Sequence, residues 1–250
     1  MSETIQIRTA DGVCPTHIFT PPTGNDLPAI VMFMDAYGVR PAMFELGDRL
    51  ASGGYCVALP DLYYRCGWTA ADAHDLFSNK SKLDFWREHI VPTISAEKIM
   101  GDMPALFAYL HGRPDVRPGP VGTTGYCLGG RLSLTTAGTF PDDVAATASY
   151  HGGGLATDAP DSPHRLAPRM KARIYVAGAI EDRGFDDAQK QRLEDALTAA
   201  HVDHTIETYN ARHGWVPSDM PVHDVAATER HWRTTFELFG ETFGVAAPNA

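Results

Sequence analysis

Val121-Gly-Thr-Thr-Gly-Tyr-Cys127-Leu-Gly-Gly130 is the stretch on which the fold turns. A strand pattern over 119–125 passes without a linker into a helical pattern over 128–138, and Cys127 sits at the join. Gly125 stands two residues before it, Gly129 two after and Gly130 three after. A side chain presented at so sharp a strand-to-helix turn sits on strained backbone, and larger residues at those flanking positions would collide. Such a turn lifts the sulfur above the carboxyl edge of a sheet and aims a helix N-terminus at it, which favours thiolate over thiol. The Leu128 amide then points where an oxyanion would form. A structural cysteine buried in a glycine-rich turn is the competing account of the local pattern.

Outward from this turn, strands alternate with helices. Strands are predicted over 4–8 and Gly12–Phe19, joined by the hairpin signal Ala10-Asp11-Gly12, and over 28–34, 55–59, Val144–Tyr150, 173–178 and His204–Tyr209. The 28–34 run is continuously apolar, as expected of a strand covered on both faces. Helices are predicted over Pro41–Ser52, from the Ser95 cap to His111, and over 186–200 and 222–239. Residues 61–94 keep no clean period and read as a lid or loop-rich excursion, and the Ala-Pro-Asn-Ala end reads as frayed. The alternation implies βαβ units: an α/β fold with a mostly parallel central sheet, helices on both faces, and a single domain over 1–250.

Composition narrows the function classes. The chain has 250 residues, 44% of them hydrophobic and 21% charged, which is ordinary globular usage. A formal net charge of −10 argues against a nucleic-acid partner and gives no attraction to anionic membranes. No apolar run approaches a membrane span, and no secretory signal is visible at the N-terminus. The four cysteines show no C-x-x-C spacing, which weakens zinc and dithiol readings and leaves reduced thiols in a cytoplasmic protein as the expectation. Monomer and small homo-oligomer are both compatible with this surface.

Two later segments supply partners for Cys127. Ile174-Tyr-Val-Ala-Gly178-Ala-Ile-Glu181-Asp182 is a strand that ends in acidic residues, and Tyr209-Asn-Ala-Arg-His213-Gly214 puts a histidine in the loop after the last strand. The order nucleophile, acid, histidine is that of an α/β-hydrolase fold, and it brings Cys127, Asp182 and His213 to one sheet edge. Asp182 is preferred to Glu181 because it lies one step further into the loop. His17, His111, His201 and His231 fall on a hairpin strand or on or near helices and lie off that edge.

Gly125-Tyr-Cys-Leu-Gly-Gly130 resembles the elbow of the dienelactone hydrolases, also called carboxymethylenebutenolidases, and the likeness runs from Ala29 through the C-terminal helix. The resemblance implies an enzyme that opens a dienelactone to maleylacetate with neither metal nor organic cofactor. Met34-Asp35-Ala-Tyr-Gly38 is similar to a segment whose glutamate contacts the resting cysteine. Asp35 stands at that position, either tuning the nucleophile or organising its loop. The Ala36 amide matches the second oxyanion donor beside Leu128. Two departures stand out. Pro217 occupies the place of the family's carboxylate-binding arginine, four residues after the histidine. The region of the second basic residue cannot be matched, leaving Arg87, Lys80 and Lys82 as candidates or as solvated side chains. His151, at the end of the strand beside the elbow, is a candidate pocket residue or a loop histidine. Trp215, like Trp68 and Trp86, is a candidate pocket wall or core. The expected activity is hydrolysis of a small-molecule ester or lactone through Cys127, His213 and Asp182 and an acyl-cysteine intermediate. A broad carboxylesterase or thioesterase, a non-catalytic binding protein on the same scaffold, and a redox-sensing thiol protein are the alternatives.

Overall fold

The computed structural model describes residues 2–246; the frayed end expected at 247–250 lies outside the described residues. The chain starts with a hairpin, β1 (Ser2–Thr9) and β2 (Gly12–Phe19), whose register runs from Ser2 opposite Phe19 to Thr9 opposite Gly12. Pairing along this whole length carries β1 beyond the 4–8 stretch that its sequence alone predicts. There follow β3 (Ala29–Phe33), α1 (Pro41–Ser52), β4 (Cys56–Pro60), the short helices α2 (Ala70–Ala73) and α3 (Lys80–Phe85), and α4 (Ala96–His111). Then come β5 (Val121–Tyr126), α5 (Leu128–Thr139), β6 (Val144–Tyr150), β7 (Arg173–Ala179), α6 (Asp187–Ala199), β8 (His204–Tyr209) and α7 (Val225–Phe243).

The eight strands form one sheet in the order β1-β2-β4-β3-β5-β6-β7-β8, antiparallel at β1/β2 and β2/β4 and parallel from β4 to β8. Every residue of β3, β4 and β5 is buried, because helices cover both faces of the central strands. α1 and α7 lie together, joined by two 2.9 Å bonds from Arg49 to Glu229, and α4, α5 and α6 form the other group.

Helix ends follow local chemistry. Asp186 caps α6 through the Gln189 amide, and the Ser95 hydroxyl accepts from Lys98 N at the start of α4. α7 starts three residues later than the apolar pattern alone predicts, since Asp224 accepts from Ala227 N at 2.8 Å, and it runs on to a left-handed Gly244. The 61–94 excursion contains α2, α3, a π-turn (Trp86–Ile90) and a 3-10 turn (Val91–Ile94). It is pinned at its root by Arg65, whose guanidinium bonds the buried Asp102 of α4 at 2.7 Å.

Candidate active site

The elbow is built by close backbone approach. A Cβ on Gly125 would lie 2.2 Å from the Gly129 carbonyl oxygen, and one on Gly129 would lie 2.3 Å from that of Phe33. Only glycine allows β5, α5 and β3 to close to this distance. Cys127 itself takes φ 53° and ψ −114°, a left-handed conformation costly for a residue with a side chain. Its amide donates to the Tyr150 carbonyl and to Nδ1 of His151, both at 3.1 Å.

The proposed oxyanion donors follow the ends of two adjacent strands. β3 and β5 are parallel neighbours with Phe33 opposite Gly125, so Ala36 and Leu128 each follow three residues after a register pair. Ala36 is buried in a turn closed by Gly38 N donating to the Asp35 carbonyl at 3.1 Å. Asp35 accepts from Tyr37 N at 2.9 Å and from both terminal nitrogens of Arg40, at 2.7 and 2.9 Å. These bonds give the carboxylate the loop-organising partners foreseen as one of its two possible roles.

At the ends of β7 and β8, His213 Nδ1 lies 2.8 Å from Asp182 Oδ2, while Asp182 Oδ1 accepts from Gly184 N at 2.8 Å. The Ile180 amide donates to the Ala211 carbonyl at 3.1 Å and locks the two loops together. His213 and Cys127 line one cavity, where the cysteine acts electrostatically on the imidazole. Burial opposes a charge on His213, but the electrostatic influence of Cys127 and the bond to Asp182 outweigh it, and the imidazole is pushed up to about 10. Burial likewise works against the Asp182 carboxylate, and the His213 bond holds it below the usual range. Glu181 turns outward, with its side chain 71% exposed against 6% for Asp182, and reaches only Arg212 at 3.4 Å.

A cavity of about 870 Å³ lies over these residues, lined by Cys127, His151, His213, Asp35, Arg40 and Asp219 on its polar side. Tyr37, Phe77, Met220, Pro221 and Val222 supply its apolar wall. A cavity of about 250 Å³ between Glu45 and Trp232 contains no triad residue. His151 is fully buried at φ 41°, and burial, reinforced by the neighbouring His213 and His231, pushes its imidazole well below the usual histidine range. Because Nδ1 accepts from Cys127, the proton of this neutral ring sits on Nε2, which finds no partner among the described residues. Trp215 backs the site: it is buried edge-on to His151 at 4.8 Å and stacked on Tyr209, outside the cavity lining. Arg87 is exposed on the π-turn, and it too is outside the lining. Trp86 donates through Nε1 to the Tyr63 hydroxyl at 3.1 Å, which in turn donates to the Ala36 carbonyl at 2.8 Å.

Sequence reading missed Arg40, Asp219 and the 220–222 wall. The partners of Arg40 lie far away in sequence, and an arginine preceding a helix-starting proline is an ordinary surface pattern. The described residues contain no group of three or more histidine, cysteine or acidic side chains arranged to hold a metal ion, and no helix long and apolar enough to cross a membrane.

Known proteins resemble this chain in sequence and in fold. The carboxymethylenebutenolidase of Rhodococcus opacus is 27% identical over 231 residues, covering 88% of this chain and 83% of that protein. A dienelactone hydrolase-like promiscuous phosphotriesterase from metagenomic libraries superposes with a TM-score of 0.75 at 22% identity, covering 97% of this chain and 99% of that one. The dienelactone hydrolase of Anabaena variabilis does so with a TM-score of 0.68 at 17% identity, covering 97% and 98%. The family model for dienelactone hydrolases matches residues 15–243, nearly the whole chain. The chain is therefore a hydrolase and belongs to the dienelactone hydrolase family.

Proposed function

We propose that the protein hydrolyses a small-molecule ester or lactone by nucleophilic acyl transfer, first to Cys127 and then to water. The observation that carries this reading is the His213–Asp182 hydrogen bond in the loops after β7 and β8, with His213 lining one cavity together with Cys127 of the elbow. The thiolate attacks the substrate carbonyl, and the amides of Ala36 and Leu128 hold the oxyanion that forms. Protonated His213 gives its proton to the leaving oxygen as the C–O bond breaks, leaving an acyl-cysteine. His213 then takes a proton from water, which attacks the thioester; collapse of that second intermediate releases the carboxylic acid and restores the thiolate–imidazolium pair. Asp182 keeps the imidazole in one tautomer and orientation throughout.

Asp35, bonded to Arg40, holds the loop that carries Ala36. His151 holds the amide of Cys127 and so the angle of the elbow. A thiolate suits activated esters such as enol lactones, whose leaving group is already good.

The Cys127→Ala variant tests the reading. Turnover of 4-nitrophenyl acetate should drop by roughly 10⁶, the scale of losing the nucleophile in a triad, with circular dichroism unchanged. Mass spectrometry of wild type quenched during turnover should find the acyl group on the Cys127 peptide. Activity above about a hundredth of wild type in the variant would mean a different nucleophile, and an unacylated Cys127 during steady turnover would remove the covalent intermediate.

A further inference from the structure

Arg40 is the single lysine or arginine among the residues that line the cavity over Cys127. All five of its N–H donors are engaged. Nε donates to Asp219 at 2.6 Å, and Nη1 donates to Asp35 at 2.7 Å and to the Gly38 carbonyl at 3.1 Å. Nη2 donates to Asp35 at 2.9 Å and to Asp219 at 3.1 Å. A guanidinium has five donors in a fixed fork and no more. Three carboxylates, Asp35, Asp75 and Asp219, line the same cavity against this guanidinium, and the His213 imidazole in that lining is bonded to Asp182. Lys82, beside Asp75, is itself bound to that carboxylate at 2.6 Å and to the His74 carbonyl at 2.6 Å.

An entering carboxylate therefore meets like charge and a guanidinium with nothing left to donate, in a cavity where water screens poorly. An uncharged acyl chain meets the apolar wall of Phe77, Met220 and Val222 at no such cost. Asp35 is buried and fixed to the loop of Ala36, whereas the Asp219 side chain is 44% exposed at the rim. Asp219 is thus the carboxylate through which the site can be made to change its preference.

We propose that the Arg40–Asp219 pair sets the charge selectivity of the site, which takes neutral acyl groups and rejects carboxylate-bearing ones, with Asp219 as the specificity-determining residue. This rests on the ester-hydrolase reading above and names its substrate class.

The test compares two esters that differ only in replacing a terminal methyl by a carboxylate: 4-nitrophenyl hexanoate and the mono-4-nitrophenyl ester of adipic acid. At low ionic strength kcat/KM for the neutral ester should exceed that for the anionic one by about tenfold or more, and added salt should narrow the gap. Asp219→Asn frees Arg40 from one of its two charges and should move the ratio about tenfold toward the anionic ester, while Asp219→Glu should hold it near wild type. Each ratio is taken within one variant, so a general loss of catalytic power cancels. An anionic ester that matches or beats the neutral one in wild type, or a ratio unmoved in Asp219→Asn, overturns the proposal. Turnover that persists in Cys127→Ala would overturn the acyl-cysteine mechanism instead, and the charge ranking would still stand or fall by itself.

Discussion

The carboxyl ends of β5, β6 and β7 and the 61–94 excursion both shape the cavity, yet they are built in opposite ways. At the strand ends Cys127, His151 and Glu181 each adopt positive φ, so half of the six such non-glycine residues described in the chain fall on one edge. The last residues of the three strands, Tyr126, Tyr150 and Ala179, are buried to within 1%. In the excursion, α2 and α3 span four and six residues, α3 buries none of its side chains, and Phe77 and Phe85 stand about half exposed. Strained backbone survives only where surrounding packing over-determines it. Segments with few buried contacts open at low free-energy cost. The proposed triad is thus carried by the part of the molecule that gives least, and a wall of the cavity by the part that gives most.

The largest effect that can break this contrast is at the acid. Asp182→Asn should lower kcat/KM by about 10³–10⁴, the scale reported by the equivalent change in a serine triad, while Glu181→Gln should stay within about threefold because its partner is solvent-exposed. Comparable losses in the two variants would mean that the outward carboxylate shares the role.

Paired glycine substitutions measure the two regions directly. Gly125→Ala must displace backbone and should cost at least about 3 kcal/mol in urea unfolding. At Gly67 of the excursion, φ is 66° but nothing lies within 4 Å of a Cβ, so alanine should cost only about 1 kcal/mol of backbone strain. Equal costs would remove the distinction.

The pH dependence of stability sharpens the comparison from within. His151 is held well below the ordinary histidine range by burial, and His231 is lowered to about 3 for the same reason. The unfolded chain protonates both below about pH 6.5 while the folded chain does not, so their contribution is present above that pH and lost as pH falls. His213, raised to about 10, contributes stability that is complete below about 6.5 and is lost as pH rises through about 10. Stability should therefore be greatest near pH 6.5 and decline on either side. It should fall on the acid side with a slope approaching about 3 kcal/mol per pH unit if both histidines stay neutral. Denaturant titrations at pH 7, 6 and 5 with no change would mean that the folded chain accepts those protons.

Phe77→Ala should have the smallest effect on the fold, within about 0.5 kcal/mol, since its side chain is 52% exposed. It should nonetheless raise KM for apolar esters several-fold, because the ring packs edge-on against Tyr37 at 5.6 Å in the cavity wall. A thermal shift matching that of a core deletion would show the excursion to be as firmly packed as the sheet.

The strand-end region was readable from sequence for the same reason that it is rigid. A turn that tolerates glycine alone at 125 and 129 leaves its mark in composition, and the order of Cys127, Asp182 and His213 follows from the sheet's winding. The wall opposite leaves no such mark. Arg40 and Asp219 meet across 179 residues, and neither sits in a repeating pattern. The short helices of the excursion are set by single caps, Thr69 with Asp72 and Asn79 with Lys82, which are too brief to impose a hydrophobic period. His151 was visible as a candidate, but its bond to the Cys127 amide depends on a left-handed turn that no residue type announces.

The contacts that seat the elbow, Gly125 on Gly129 and Gly129 on Phe33, run from main chain to main chain. A joint of this kind carries no memory of side-chain identity. Lineages can exchange the surrounding core, wall and surface almost freely while the backbone of the turn keeps its shape. This accounts for chains 17% and 22% identical to this one retaining its architecture. It also marks where diversification should concentrate: on the residues facing the bound acyl group, which are free to drift because the machinery beneath them is referenced elsewhere.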